Sequence, residues 1–204
     1  IIYMLKINKE NNTLEKEIIQ CRMCERLVSF REKIAKEKRK SYLHWEYWGK
    51  PVPGYGNQYA KIMILGLAPA AHGGNRTGRV FTGDKSAEFL FKCLYEVGFA
   101  NQPNSDFRDD GLEIDGYITA AVKCVPPGDK PTAEEKNNCE SFLIKEFQSL
   151  KKLKIVVGLG KIGFDSCLKF IRKTYPIKMK DYKFGHGVRY VMPNDLILYG
   201  AFHP

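Results

Sequence analysis

Two sets of residues in this chain have types and spacings suited to chemistry. The first is cysteine. Cys21 and Cys24 form a Cys-x-x-Cys pair, and Cys124 and Cys139 follow far downstream with fourteen residues between them. Four thiolates from two distant segments can close a tetrahedral site, and by spacing alone zinc fits as well as an iron–sulfur cluster. The bland alternative is a set of unrelated buried thiols. Cys93 and Cys167 fall on apolar helical faces, where a thiol behaves as a small hydrophobe, so both are expected in the core.

The second set is the stretch from Gly66 to Asp84, which follows the apolar run Ile62 to Leu65 and holds five glycines, one proline and two arginines. Such a backbone can turn sharply and approach an anionic ligand closely. Arg76 and Arg79 suit phosphate contacts or salt bridges about equally. Phe81 is either a core anchor for the loop or a stacking platform. Asp84 stands directly before a helical pattern and is a good N-cap. Its insertion between Gly83 and Lys85 also spoils the Gly-x-x-x-x-Gly-Lys-Ser phosphate loop that Gly78 to Ser86 otherwise approaches. A carboxylate lies where amides should meet an anion, which argues against a nucleoside triphosphatase. Gly158 and Gly160 follow a strand pattern, but the next glycine, Gly163, is out of register for a dinucleotide site. His203, followed by Pro204, reads on its own as an exposed loop residue.

These residues need elements to position them. Residues 13–40 read as two helical pieces that join at Cys21 to Cys24, and residues 41–57, rich in aromatics, glycine and proline, read as loop. Short apolar runs at 60–65, 117–122, 153–157, 188–192 and 196–199 read as strands, and residues 85–97, 132–150 and 162–175 as amphipathic helices. On the helix at 85–97, Phe89, Leu90, Cys93, Leu94 and Val97 are expected to face the core. Thr132 with Glu135 is a capping box. Alternating strands and helices imply an α/β fold with a parallel sheet, helices on both faces and a functional edge at the strands' carboxyl ends.

A length of 204 residues with 44% hydrophobic content fits a single domain over 1–204. Thirty-three Lys and Arg against 23 Asp and Glu leave a net charge of +10, which points to a polyanionic partner, nucleic acid ahead of membrane. No signal-peptide pattern opens the chain and no apolar run approaches the roughly 20 residues that span a bilayer. A cytoplasmic protein is therefore expected, in a reducing compartment where cysteines serve metals more often than disulfides.

The glycine loop Gly66 to Gly74, the run Gly78 to Asp84, the sequence Lys123-Cys124-Val125-Pro126-Pro127, the cysteines at 21, 24, 124 and 139 and the closing His203-Pro204 together resemble the uracil-DNA glycosylase superfamily, within it the family 5 (type B) group. The likeness spans most of the chain. It implies a three-layer α/β/α fold with a central parallel four-stranded sheet, and a [4Fe–4S] cluster on Cys21, Cys24, Cys124 and Cys139 that ties helices 13–40 to the rest. It also implies hydrolysis of the N-glycosidic bond of uracil and other deaminated or modified bases in DNA after base flipping, by a monomer. In this likeness Asp84 and His203 are catalytic, Gly66, Ala68, Phe81 and Ala120 line the base, and Arg76 and Arg79 contact DNA phosphates. The first motif is apolar at Leu67, Ala68, Ala70 and Ala71, which leaves Asp84 as the nearest acid. Ala120 stands where relatives of family 4 carry a base-reading asparagine, so relaxed base specificity is expected, reaching to xanthine, hypoxanthine or bulkier pyrimidine lesions. The motif begun by His203 is expected to continue with a serine and a DNA-contacting helix.

Two other classes compete. A cluster-bearing electron carrier has no use for so long a glycine loop. A cluster-bearing, non-catalytic nucleic-acid-binding protein keeps the charge and the cysteines but has no use for Asp84 and His203.

Overall fold

The apolar runs assemble into one mixed sheet, as described for residues 13–204 by a computed structural model. Its strands are β1 (Tyr55–Gly56), β2 (Ile62–Gly66), β3 (Tyr117–Ala120), β4 (Ile155–Leu159), β5 (Arg189–Val191) and β6 (Ile197–Ala201), in the order β1-β3-β2-β4-β6-β5. The four inner strands are mutually parallel. The two edge strands are antiparallel to their neighbours, so the four-stranded parallel sheet expected from sequence is the centre of a six-stranded one. The helices are α1 (residues 13–19), α2 (Glu25–Glu37), the single turn α3 (Gly74–Thr77), α4 (Lys85–Glu96), α5 (Ala133–Ser149) and α6 (Gly160–Arg172).

Strand periodicity decides which face each helix covers. Successive residues of β2 point to opposite faces. Met63 and Leu65 pack with Leu143 and Phe147 of α5 and with Phe164, Cys167 and Leu168 of α6. Ile64 packs on the other side with Ala87, Leu90 and Phe91 of α4. The result is three layers. Cys167 is fully buried, as expected. The glycine pattern after β4 serves packing: a Cβ on Gly163 would run into the carbonyl oxygen of Leu65, so α6 lies tight on β2 because that position is bare.

The structure corrects the reading of α4. Cys93 is exposed, and Phe89 and Val97 are 62% and 76% exposed. The buried face instead runs through Ala87, Leu90 and Phe91, with Leu94 packed beside them. Both stripes have helical spacing. The buried side is the one that meets Ile64 and Ile118 of the sheet, and Asp84 caps the helix by accepting a hydrogen bond from Ala87 N. Tyr55–Gly56, expected as loop, adds an edge strand to β3. At the other end of β3, Ala121 N and Val122 N still donate to Gly66 O and Leu67 O as the chain leaves the sheet. No described helix is long and apolar enough to cross a membrane.

Beneath the end of β3 lies a buried ion pair. Lys123 and Glu146 are 1% and 0% exposed with 2.6 Å between Nζ and Oε2. Lys123 Nζ also donates to Thr119 Oγ1 and Ala120 O, while Glu146 accepts from Gly54 N, Tyr117 OH and Thr119 Oγ1. Removing one partner of such a pair strands the other charge, at a cost of about 3–5 kcal/mol. Lys123→Met is therefore expected to lower unfolding stability by that amount in urea denaturation; a loss below ~1 kcal/mol would show that the network is not a main support of the fold.

Candidate active site

The carboxyl ends of the inner strands bring Ala120, Gly66, Leu159 and Ala201 side by side, because Gly66 pairs with Ala120 and Leu159 with Ala201. The glycine loop leaves from β2 at this edge, and His203 follows two residues after β6. Three of the residues singled out in sequence meet here. The rings of Phe81 and His203 are 5.9 Å apart and inclined by 31°. Asp84 caps α4 with Oδ1 on Ala87 N at 2.9 Å, and His203 is close enough to act electrostatically on its carboxylate. Ser86 Oγ donates to Pro204 O at 3.0 Å, which ties the segment after β6 to the first turn of α4. His203 is exposed, and its Nδ1 is 2.8 Å from Pro204 O.

Two close approaches fix this arrangement. A Cβ on Gly66 would lie 2.9 Å from the Phe81 ring, and one on Gly73 would clash with the Asp84 carboxylate. Phe81 itself has φ +48°, a left-handed conformation that costs a non-glycine residue about 1–2 kcal/mol. Burial raises the Asp84 carboxyl above the usual aspartate range; the amides of Ala87 and Ser86, His203 and Arg76 pull the other way without cancelling it. A cleft beside Asp84 is lined by Tyr42, Trp45, Lys85, Asn104 and Asp106.

The structure gives the two loop arginines a different task from phosphate contact. Arg76 is 3% exposed and Arg79 6%. The Arg76 guanidinium lies 4.0 Å from the ring centroids of both Tyr42 and Trp45, and donates to His72 O and Gly83 O. Arg79 donates to Thr82 Oγ1, Arg108 O, Ser105 Oγ and the Asp110 carboxylate, the last at 2.7 Å. For Asp110 the desolvation cost is outweighed by Arg79 and by the Asp106 and Leu112 amides, so its carboxyl sits below its ordinary range. Both arginines are largely buried and hold the loop together from inside, with Arg76 also lining the cleft beside Asp84.

Ala120 is 1% exposed and belongs to the core cluster against which Phe81 packs, at the floor of the site. Ala68 packs away from Phe81, against Leu27, Val122, Cys124 and Cys139. The aromatic pair Tyr42 and Trp45 escaped the sequence reading; the signal was a run of aromatics inside a segment otherwise made of turn residues.

The four cysteines line a single small pocket together with Met23, Leu27, Val28, Arg31, Pro51 and Lys123. As they stand, no three His, Cys, Asp or Glu side chains among the described residues form a ready metal-holding group. The donor set nevertheless fits a cysteine-bound metal centre. Cys21 and Cys24 precede α2, Cys24 as its N-cap, Cys124 follows β3, and Cys139 lies on α5. Burial pushes the thiols of Cys124 and Cys139 up to about 11 and about 12, so a cationic centre is what would make them thiolates. Arg31 Nη1 donates to Cys124 Sγ at 3.0 Å and Asn138 Nδ2 to Cys24 Sγ at 3.4 Å.

A family model described as the uracil DNA glycosylase superfamily matches residues 53–204. The type-5 uracil-DNA glycosylase of Pyrobaculum aerophilum is 45% identical over 188 residues, covering 92% of this chain and 79% of that protein. The type-5 enzyme of Thermus thermophilus is 40% identical over 183 residues, covering 90% and 81%. A type-4 uracil-DNA glycosylase of Sulfurisphaera tokodaii is 26% identical over 204 residues, covering 94% and 72%.

The internal role of Arg79 separates stability from DNA contact. Arg79→Met leaves the Asp110 carboxylate buried and unpaired and is expected to cost about 3–5 kcal/mol in denaturant unfolding. The salt dependence of DNA binding by the folded variant should stay unchanged; a fall of the logarithmic slope by about one unit would return Arg79 to the phosphate contacts.

Proposed function

Because the chain belongs to the uracil DNA glycosylase superfamily, we propose that it is a DNA repair glycosylase: it hydrolyses the N-glycosidic bond of uracil and other deaminated or modified bases in DNA and leaves an abasic site. The observation that carries this is the meeting of Phe81, Asp84 and His203 at the carboxyl edge of the sheet. The net charge of +10 favours the polyanionic substrate.

The target nucleotide has to leave the stack, which costs least at mispairs and thereby contributes to selectivity. Phe81 receives the flipped base by stacking, a contact worth about 1–3 kcal/mol. The backbone of Gly66 to Ala71 supplies amides at the same edge. The bond between the sugar C1′ and the base nitrogen breaks, its electron pair goes to the base, a water oxygen bonds to C1′, and the proton that this water sheds ends on the departing base. Positive charge grows on the sugar and negative charge on the base. Asp84 stabilises the first and orients the water; its cap on α4 keeps the carboxylate in place. His203 stabilises the second by donating to a base carbonyl, a task akin to an oxyanion hole. With Nδ1 engaged at Pro204 O, Nε2 is the ring nitrogen left to meet the base.

Cys21, Cys24, Cys124 and Cys139 would hold a [4Fe–4S] cluster, which when bound cross-links α2, the segment after β3 and α5. The small side chain at Ala120 leaves no group to read the edge of uracil, which supports a wider range of bases.

Asp84→Asn and His203→Ala are each expected to lower uracil excision from a labelled duplex on the order of 10²–10³-fold, while DNA binding persists. Full excision by both variants would show that Asp84 and His203 are not the catalytic residues, whereas no excision by the parent protein would favour the non-catalytic alternative. The active form of Asp84 is the carboxylate, and burial raises its pKa. Excision should therefore be lost as pH falls through a value above the ordinary aspartate pKa of about 3.9. The folded state binds this proton more tightly than the unfolded one, so the carboxylate opposes folding at neutral pH and the penalty fades as pH falls. Asparagine caps helices as well as aspartate, so Asp84→Asn should melt no lower than the parent at pH 7. In a panel of duplexes, hypoxanthine and xanthine should be excised as well as uracil; strict uracil selectivity would remove the role given to Ala120.

A further inference from the structure

Arg31 is 2% exposed on the inner side of α2, an unusual place for a charged residue. It lines the cysteine pocket, and its Nη1 donates to Cys124 Sγ and, at 3.3 Å, to Cys21 O. Its environment differs from that of Arg79, which has a buried carboxylate partner. The acid nearest to hand, Glu32, is 3.9 Å from Nη2, is 47% exposed, and is already engaged at 2.6 Å by Arg22. Arg31 Nε is buried with no hydrogen-bond partner. A buried cation with a spare donor is costly unless an anionic group completes its shell. Four thiolates outweigh the positive charge of an iron–sulfur core, so the loaded pocket would be that anion.

We infer that Arg31 is a positioning residue for the cluster: its guanidinium holds the Cys124 thiolate and balances the net negative charge of the loaded site, and in doing so sets the reduction potential. Hydrogen bonds to sulfur and local charge are the levers that tune such centres. A fixed cation favours the more electron-rich state, so Arg31 raises the potential. Asn138, with its neutral amide on Cys24 Sγ, supplies a hydrogen bond without the charge. The inference rests on the cluster reading given above.

The test uses the purified protein with its metal centre in place. Iron and acid-labile sulfide are measured first on the parent protein; zinc without sulfide would overturn the cluster reading and the role of Arg31 with it. In cluster-loaded protein, Arg31→Gln is expected to disfavour reduction at least tenfold, about 59 mV for a one-electron couple. Arg31→Lys, which keeps the charge but not the fork geometry, should fall between the two. A loaded Arg31→Gln protein with the parent's potential overturns the inference while leaving the cluster reading intact. Should the glutamine variant fail to fold, the parent protein labelled with 15N-arginine decides the matter: pulsed EPR of the reduced cluster should detect coupling to an arginine nitrogen, and its absence refutes the contact.

Discussion

A lysine ammonium and a glutamate carboxylate, both withdrawn from water, hold the centre of this fold. Lys123 and Glu146 are tolerable there because every neighbour is a partner: Thr119, Tyr117, Ala120 O and Gly54 N complete their shells. The pair joins the segment after β3 to α5. The cysteines join the same two elements a second time, since Cys124 follows Lys123 in the chain and Cys139 stands two helical turns before Glu146 on the same side of α5. Below, the join is ionic and complete in the protein itself. Above, it is made of thiols that burial keeps neutral until a cation arrives. Metal loading therefore acts on elements that are already aligned.

Much of the architecture was legible because burial on both faces leaves a plain mark. The runs at 62–66, 117–120 and 155–159 are short, apolar and bounded by turn residues, and each became an inner parallel strand. The capping box at Thr132 and Glu135 formed with both of its hydrogen bonds. What the sequence hid were choices made over distance. Two apolar stripes of helical spacing share Leu90 and Leu94 on α4, and the distant sheet residues Ile64 and Ile118 decide which of them is buried. The two arginines of the glycine loop look free because their partners are elsewhere: Asp110 is 31 positions from Arg79, and Tyr42 and Trp45 precede Arg76 in a segment with no regular pattern.

The site itself was half legible. Phe81, Asp84 and His203 could be named from their motifs, but their convergence depends on the sheet register that sets the end of β6 beside the end of β4, and on the bond from Ser86 to Pro204 O. Rigidity comes from residues with no chemistry of their own. Gly66 and Gly73 allow an aromatic ring and a carboxylate to press on the backbone, and the strained Phe81 is retained because its surroundings over-determine it.

The sandwich of Arg76 between Tyr42 and Trp45 does more than bury a charge. Trp48 N and Gly49 N donate to Arg76 O and Asn75 O, and Asn75 Nδ2 donates to Arg31 O on α2. The glycine loop thereby joins the aromatic segment to the cysteine-bearing helix, and it cannot open without breaking its contacts with both. The glycine-loop wall of the candidate site cannot fray alone, and its opening free energy is shared with the helix that frames the cysteine pocket.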